Sequence, residues 1–238
     1  MSLVLAHRGA SGYAPENTLE AFRLAAEMGA DGFELDVHVS ADGELIVMHD
    51  EKVDRTTDGK GYIKDKTLKE LKALDASNGK AGYRDVRIPT LREVYELISG
   101  TKLIINTEIK TDGILYPDIA EKCLALEDEM NLRGQIVYSS FNHYTCATLR
   151  EMRPDAKIGL LYSGGLYNPW EYAKQLKADF LHPDIAIAAV LPDLISESIR
   201  NGIGVNFWTV NDTEKMKMCH EYGAGIITNF PDIALKLR

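Results

Sequence analysis

Three carboxylates with regular spacing carry the strongest chemical signal in this sequence. Glu34 and Asp36 stand two residues apart in FELDV, and Glu108 stands in NTEIK. Residues two apart on a β-strand point to the same face, so Glu34 and Asp36 should lie side by side. Neighbouring carboxylates repel each other unless a proton or a cation lies between them. Oxygen ligands favour Mg²⁺ or Ca²⁺, and Mn²⁺ is also compatible, so these three residues predict a site for one divalent cation.

Two cationic side chains accompany the carboxylates. Lys110 shares a strand face with Glu108, and Arg8 ends the first short apolar run in LAHRGASG. A lysine cannot bind a cation, and we expect Lys110 to hold an anionic oxygen of a substrate. Arg8, Lys110 and a divalent cation together suit a phosphoryl group, whose charge must be neutralised in the transition state. Gly9 would let the backbone pass close to that phosphate.

Two histidines complete the set of reactive groups. His7 precedes Arg8, and His49 lies in VHVSADGELIVMHD, where Asp-Gly predicts a hairpin turn. A register centred on that turn places His49 opposite Asp36. His38 lies nearer the tip of the hairpin, and we expect it to be a surface residue. A pair of histidines can move protons in opposite directions. The combination predicts phosphodiester cleavage, because glycoside hydrolysis would need two free carboxylates and no cationic clamp.

Three later strand ends carry side chains that could line a substrate. Phe141 follows SS, His182 lies in FLHPD, and Trp208 lies in FWTVN. We expect Trp208 to form an apolar wall for the alcohol part of a substrate. For His182 the sequence leaves two interpretations open, a site residue and a buried residue that only makes hydrogen bonds.

The elements that position these residues alternate regularly between strand and helix. The predicted strands are Leu3–His7, Gly32–Val39, Leu103–Lys110, Gln135–Phe141, Lys157–Tyr162, Asp179–Pro183, Gly204–Val210 and Gly225–Phe230. Helical patterns follow each of them, which favours a parallel sheet. Eight such units in 238 residues predict an α/β protein with a single (β/α)8 TIM-barrel domain over residues 1–238. An open doubly wound sheet is the alternative, and the absence of a G-x-G-x-x-G motif disfavours it.

One segment interrupts the alternation. Residues 51–88 are polar and rich in glycine, with one short helical run at Leu68–Leu74. We interpret this segment as a small insertion after the hairpin of the second strand, which covers the catalytic face of the barrel.

Composition narrows the choice of partners and compartment. The chain has a net charge of −9 and no basic stripe, which argues against nucleic acid as a partner. Three widely spaced cysteines are typical of a reducing compartment, and no apolar stretch reaches the length of a membrane span. Without a recognisable signal peptide, we expect a cytoplasmic protein that acts on a small molecule and does not insert into membranes. The oligomeric state stays open.

Several sequence blocks together resemble the glycerophosphodiester phosphodiesterase family, in its compact cytosolic form. The blocks follow the family order and are HRGASGYAPENTLEAF, GADGFELDV, GELIVMHD, RTTDGKG, IPTLREV, EIK, SSF and WTVN with TNFP. The resemblance implies a TIM barrel and the hydrolysis of deacylated phospholipids, such as glycerophosphocholine or glycerophosphoethanolamine, to glycerol 3-phosphate and an alcohol. It implies His7 and His49 as catalytic residues. It also implies Glu34, Asp36 and Glu108 as metal ligands, Arg8 and Lys110 as phosphate-holding cations, and Trp208 as a substrate-lining residue.

Two alternatives remain at this point. A barrel phospholipase that cleaves intact lipids, like phosphatidylinositol phospholipase C or sphingomyelinase D, would expose apolar or basic loops at its mouth. The insertion is instead polar and mixed in charge, with Tyr62 and Tyr83 as its aromatic residues. A binding barrel without catalysis would lack a histidine or a carboxylate of the family pattern, and none is missing here.

Overall fold

Strands and helices alternate along the computed structural model, which describes residues 2–238; Met1 lies outside the described residues. Strands β1 to β9 span Val4–His7, Gly32–Val39, Leu45–Val47, Ile104–Ile109, Ile136–Ser140, Lys157–Tyr162, Phe180–Pro183, Gly204–Phe207 and Gly225–Thr228. Helices α1 to α9 span Leu19–Glu27, Leu68–Lys72, Leu91–Ile98, Ile119–Glu129, His143–Met152, Pro169–Gln175, Leu194–Arg200, Thr213–Tyr222 and Pro231–Leu237. Two 3₁₀ helices lie at Ile63–Asp65 and Ile185–Ala189.

Eight of the strands close into a barrel. They pair in parallel in the order β1, β2, β4, β5, β6, β7, β8 and β9, and β1 pairs with β9 as well as with β2. This closure confirms the (β/α)8 TIM barrel and excludes the open doubly wound sheet, which would leave two free edges. The predicted strands all occur, with ends that differ by at most three residues.

Strand β2 shows how the barrel separates apolar from polar side chains. All eight of its residues are buried. Phe33, Leu35 and Val37 pack into the core under the helices, where the ring of Phe33 lies 5.2 Å from that of Phe22 on α1. The alternate residues Glu34 and Asp36 therefore face the barrel interior. A strand with one apolar and one acidic face can thus be wholly buried and still deliver charges to a site.

The hairpin between β2 and β3 differs from the predicted register by one residue. Val37 pairs with Val47, and the Met48 N–H donates to the Asp36 carbonyl, so Asp36 lies opposite Met48 and not opposite His49. The connection has three residues, because the Ser40 N–H donates to the Glu44 carbonyl. Gly43 adopts φ +90° at the end of this loop, as three-residue hairpin loops commonly require.

Residues 51–88 pack with β3 and its continuation into a second, smaller apolar cluster beside the barrel. Its buried members are Ile46 and Met48 from β3 and its continuation, with Val53, Ile63, Leu71, Ala76, Val86 and Ile88. Thr56 and Ala76 of this segment line a narrow cleft together with Glu16 and His49. The segment thus borders the carboxyl ends of β1 and β2. That it caps the catalytic face stays a prediction. Among residues 2–238, no helix combines the length and apolar character needed to cross a bilayer.

Candidate active site

Adjacent strands bring the three carboxylates together. Glu34 and Asp36 lie on β2, and Asp36 stands directly across from Glu108 on β4. One oxygen from each carboxylate lies within 4.8 Å of the others, and all three residues are buried. A parallel pair of strands with acidic residues at the same end therefore forms one compact cluster of oxygen atoms.

Burial and mutual repulsion divide the protonation behaviour of this cluster. Burial, with Asp36 and Glu108 nearby, raises the pKa of Glu34 well above its usual range. Burial and Asp36 likewise raise the pKa of Glu108 to about 7. Burial alone would raise the pKa of Asp36 too, but the charges of Arg8, His49 and Lys110 hold it below its usual range. The cluster holds more negative charge than its surroundings compensate.

The oxygen atoms of this cluster are suited to bind a divalent cation. Asp36 Oδ1 is buried without a hydrogen-bond partner, and hard oxygen donors are the ligands that Mg²⁺, Ca²⁺ and Mn²⁺ prefer. A bound cation would also relieve the repulsion that raises the pKa of Glu34 and Glu108. The residues present therefore fit the group.

The two cationic side chains predicted for the site, Lys110 and Arg8, flank the carboxylate cluster. Lys110 Nζ lies 2.7 Å from Glu108 Oε1 and 3.9 Å from Asp36 Oδ1. Arg8 adopts φ 55°, donates its backbone N–H to Glu34 Oε2 at 2.9 Å, and places Nε 3.5 Å from Asp36 Oδ2. Both positive charges are held beside carboxylates at the rim of the site.

The loop after β1 requires glycine at position 9 for a packing reason that the sequence did not indicate. Its φ is +79°, and a Cβ built there would lie 2.6 Å from the backbone carbon of Ala21 on α1. The glycine is therefore required for the close approach of the loop to helix α1, whatever it also allows at a phosphate.

His7 reaches the site as a neutral acceptor. Its Nδ1 lies 2.7 Å from Asn229 Oδ1, and an amide oxygen can only accept, so Nδ1 carries the hydrogen and Nε2 is free. Burial, together with the charge of Arg8, lowers the pKa of His7 to about 4. His7 Nε2 lies 3.9 Å from Glu34 Oε2.

His49 reaches the same cavity by a different route from the predicted one. It follows Met48 beyond the end of β3, and its Nδ1 donates to Asp50 Oδ1 at 2.7 Å. Hydrogen bonds from Arg55 lower the pKa of Asp50 to about 2, so this carboxylate is ionised at neutral pH. A carboxylate at Nδ1 orients the ring and stabilises its positive charge when the ring is protonated.

His38, expected at the surface, is fully buried. Its Nε2 donates to the His49 carbonyl at 3.1 Å, and its Nδ1 lies 3.3 Å from the Tyr116 hydroxyl. The surface prediction was wrong because His38 shares the inward face of β2 with Glu34 and Asp36.

Phe141 and Trp208 form an aromatic corner on the far side of the cavity. Their rings meet edge to face at 5.4 Å, and Lys110 Nζ lies 5.9 Å from the centre of the Phe141 ring. The indole N–H of Trp208 donates to the His182 carbonyl at 2.8 Å, which fixes the ring.

The structure does not bring the His182 ring into the cavity. His182 is fully buried in the barrel interior, with Nε2 3.0 Å from the amide nitrogen of Asn206. Its ring occupies the space beside Gly159, where a Cβ would lie 2.5 Å from it. Of the two interpretations, that of a buried hydrogen-bonding residue fits this position, and the cavity lining does not include His182 as a substrate-binding residue.

The cavity unites most of the remaining predicted residues. It is lined by His7, Arg8, Glu34, His49, Asn106, Glu108, Phe141, Leu161, Trp208 and Ile227. Asn106 was not predicted, although it lies two residues before Glu108 on the same strand face, and that spacing could have indicated it. Asn17, which donates to Asp36 Oδ2 at 2.8 Å, and Asn229 hold site residues in place from loops, and strand periodicity carries no signal for them.

Comparison with known proteins gives a consistent result over the whole chain. Residues 7–233 match the model of the Glycerophosphoryl diester phosphodiesterase family. A curated glycerophosphodiester phosphodiesterase from Caldanaerobacter subterraneus is 46% identical over 239 residues, which cover 99% of this chain and 97% of that protein.

Solved structures agree with the sequence relatives. An Oleispira antarctica phosphodiesterase in complex with the product sn-glycerol-3-phosphate is 31% identical, with a TM-score of 0.87 over 100% of this chain and 96% of that one. A glycerophosphodiester phosphodiesterase from Thermotoga maritima is 33% identical, with a TM-score of 0.83 over 100% of this chain and 99% of that one.

Proposed function

The chain belongs to the glycerophosphoryl diester phosphodiesterase family, and we propose that it hydrolyses glycerophosphodiesters with the help of one divalent cation. The proposed substrates are deacylated phospholipids such as glycerophosphocholine or glycerophosphoethanolamine, and the products are glycerol 3-phosphate and an alcohol. The observation that carries the proposal is the cluster of three buried carboxylates within 4.8 Å, set between Arg8 and Lys110.

The cation would be held by Glu34, Asp36 and Glu108. When bound, Mg²⁺ or Ca²⁺ supplies charge neutralisation to the non-bridging oxygens of the phosphodiester. Arg8 and Lys110 contribute further positive charge at fixed positions, and such preorganised charge stabilises a phosphoryl transition state. The carboxylates are thereby committed to the cation, which leaves proton transfer to other groups.

We propose different roles for the two histidines because their surroundings differ. His7 has a pKa lowered to about 4, so it is neutral at pH 7, and its free Nε2 lone pair can accept a proton. His49 is backed by the ionised Asp50 and suits a general acid. In the proposed step His7 accepts the proton of the nucleophile while a new P–O bond forms. His49 donates a proton to the leaving alcohol oxygen as the old P–O bond breaks.

Two nucleophiles are compatible with this arrangement. One is water, which would give glycerol 3-phosphate directly. The other is the neighbouring hydroxyl of the glycerol, which would give a cyclic phosphodiester that water then opens. Detection of a cyclic product in single-turnover reactions would distinguish them.

The aromatic corner suits the uncharged part of the substrate. Phe141 and Trp208 present apolar surface beside Lys110 Nζ, so a phosphate held by the lysine would place its alcohol substituent against these rings. A cytoplasmic location is also part of the proposal, and the free, buried state of Cys123, Cys146 and Cys219 is consistent with it.

Turnover of glycerophosphocholine, followed through glycerol 3-phosphate, tests the proposal. His7→Ala and His49→Ala should each lower kcat by about 10²-fold to 10⁴-fold, the usual contribution of a positioned acid or base. His220→Ala is the matched control, because His220 lies on α8 and bonds to the Ala234 carbonyl, away from the cavity. EDTA should abolish turnover, and added Mg²⁺ or Ca²⁺ should restore it. Near wild-type kcat in either site variant, with metal present, would contradict the two-histidine mechanism.

A further inference from the structure

The RTTDGKG motif of the inserted segment contains an arginine that the proposed reaction does not use. Arg55 lies in this motif, and its side chain is 44% exposed, yet all three of its nitrogens make hydrogen bonds. The ion pairs of a partly exposed arginine ordinarily contribute little to stability and leave its side chain mobile. Arg55 instead has two carboxylates as partners, one from each side of the cavity mouth.

Arg55 binds both carboxylates in a forked arrangement. Its Nε and Nη2 donate to the two oxygens of Asp50 at 2.8 and 3.0 Å. Its Nη1 and Nη2 donate to the two oxygens of Glu16 at 2.8 Å each. Such bidentate pairs are the strong and directional form of an ionic contact, and lysine cannot reproduce them.

Each carboxylate holds a residue of the proposed reaction on its other side. Glu16 Oε1 also accepts from Arg8 Nη1 at 2.9 Å, and Asp50 Oδ1 accepts from His49 Nδ1 at 2.7 Å. A continuous chain of contacts therefore runs from Arg8 through Glu16, Arg55 and Asp50 to His49. Its ends lie in the loop after β1 and in the segment after β3, which are otherwise separate in the chain.

We propose that Arg55 is a positioning residue that fixes the phosphate-holding Arg8 and the acid His49 relative to each other. The inference rests on the proposed function, since it takes the roles of Arg8 and His49 from it. The inserted segment then has a role beyond that of a cap, because the guanidinium of Arg55 ties the two sides of the mouth together. Burial would raise the pKa of Glu16, but the hydrogen bonds from Arg55 and the charge of Arg8 lower it below its usual value, which agrees with a tightly held pair.

Kinetics of three variants test this role. Arg55→Ala should lower kcat by about tenfold or more and raise KM, because misplacement of His49 slows the reaction and misplacement of Arg8 weakens phosphate binding. Arg55→Lys should recover only a small part, since it restores the charge but not the fork. Lys60→Ala is the matched control, because Lys60 lies in the same segment, is 79% exposed, and makes only a 3.5 Å contact with Asp54.

Hydrogen–deuterium exchange gives a readout that does not depend on turnover. Arg55→Ala should speed exchange both in residues 49–54 and in residues 8–17, whereas Lys60→Ala should leave both unchanged. Glu16→Gln should also speed exchange in residues 49–54, and this effect should disappear in the Arg55→Ala background, because Glu16 is linked to Asp50 through Arg55.

The outcomes separate the two proposals. Unchanged kcat and KM in folded Arg55→Ala, or faster exchange on one side of the mouth alone, would overturn the positioning role. If the variants show the expected exchange pattern but the wild-type protein does not hydrolyse glycerophosphodiesters, the link through Arg55 is supported and the proposed function is refuted. Circular dichroism and thermal unfolding identify variants that lose the fold, in which case Arg55→Lys carries the test.

Discussion

Asp36 is the residue on which the electrostatics of the site depend. It is fully buried, yet Arg8 and Lys110 lie within 4 Å of its two oxygens and Asn17 donates to one of them. Glu34 lies on the same strand face without comparable compensation, and its pKa is raised. Two carboxyl groups on one strand face thus differ in pKa according to which cations their neighbours supply.

His182 should make the stability of the folded protein depend on pH, independently of the proposed reaction. Burial lowers its pKa to about 3, against 6.5 for an accessible histidine. Between these values the unfolded chain binds a proton that the folded protein does not, so stability is full above pH 6.5 and falls as the pH drops. At pH 4.5 the expected loss from this group alone is about 2–3 kcal/mol.

Urea unfolding at pH 7 and pH 4.5 measures this contribution. From pH 7 to pH 4.5 the free energy of unfolding should fall less in His182→Gln than in the wild type. The difference between the two decreases should be about 2–3 kcal/mol. His220→Gln, at a half-buried position on α8, is the matched control for a histidine-to-glutamine exchange outside the barrel interior. Equal pH dependence of His182→Gln and wild type would mean that His182 is protonated in the folded state.

Residue type and spacing predicted the chemistry where partners are close in sequence or on adjacent strands. The face shared by Glu34 and Asp36, and its meeting with Glu108, followed from strand periodicity. The partner of His7 could not be found in this way, because Asn229 lies 222 residues away and contacts it only when the barrel closes. His182 shows the opposite limit, since a strand-end histidine can equally fill the interior beside a glycine such as Gly159.

At the scale of elements, the β2–β3 hairpin shows how a turn decides the position of a side chain. Asp-Gly is compatible with both two-residue and three-residue loops, and the sequence alone favoured the first. The three-residue loop shifts the pairing by one residue, yet His49 still reaches the cavity because it lies beyond the last paired residue of β3. Strand β3 therefore sets where the chain leaves the barrel, and contacts with Asp50 and His38 set the final position of His49.

The loop between β1 and α1 provides a prediction about close packing. Gly9→Ala places a Cβ at φ +79° and within 2.6 Å of the Ala21 backbone carbon. A left-handed conformation costs an alanine about 1–2 kcal/mol, and overpacking against a helix adds about 1–3 kcal/mol. Because Arg8 precedes Gly9, kcat/KM for glycerophosphocholine should fall as well.

Gly29 offers a control with the same backbone conformation and no contact. Its φ is +82°, and a Cβ there would have no atom within 4 Å. Gly29→Ala should therefore show only the cost of the left-handed conformation and keep wild-type turnover. Urea unfolding of both variants measures the difference, and equal losses of stability would show that the approach to α1 is easily relaxed.

The whole molecule determines which form of substrate can reach the site. Eight strand–helix units predicted the barrel correctly, because each unit carries its own periodicity and the closed sheet is the arrangement that buries all of them. The arrangement of the mouth could not be predicted to the same extent. It depends on segments that follow the strands of different units, and in four of these segments Leu115, Tyr144, Tyr167 and Val190 are between 69% and 94% exposed.

Those exposed side chains are the observation that favours the alternative, a phospholipase that acts on intact lipids. They belong to separate segments after β4, β5, β6 and β7, with Tyr144 in the first turn of α5 and the others in loops. Single exposed apolar residues are common on proteins. The net charge of −9 opposes contact with an anionic bilayer, and the carboxylates lie buried inside the barrel end. We therefore expect the protein to stay in the supernatant with vesicles of phosphatidylcholine, alone or mixed with phosphatidylglycerol. It should release no phosphate ester from them while hydrolysing free glycerophosphocholine. Co-sedimentation that is lost in Tyr144→Ser and Tyr167→Ser, together with cleavage of the vesicle lipid, would identify the lipid surface as the true substrate.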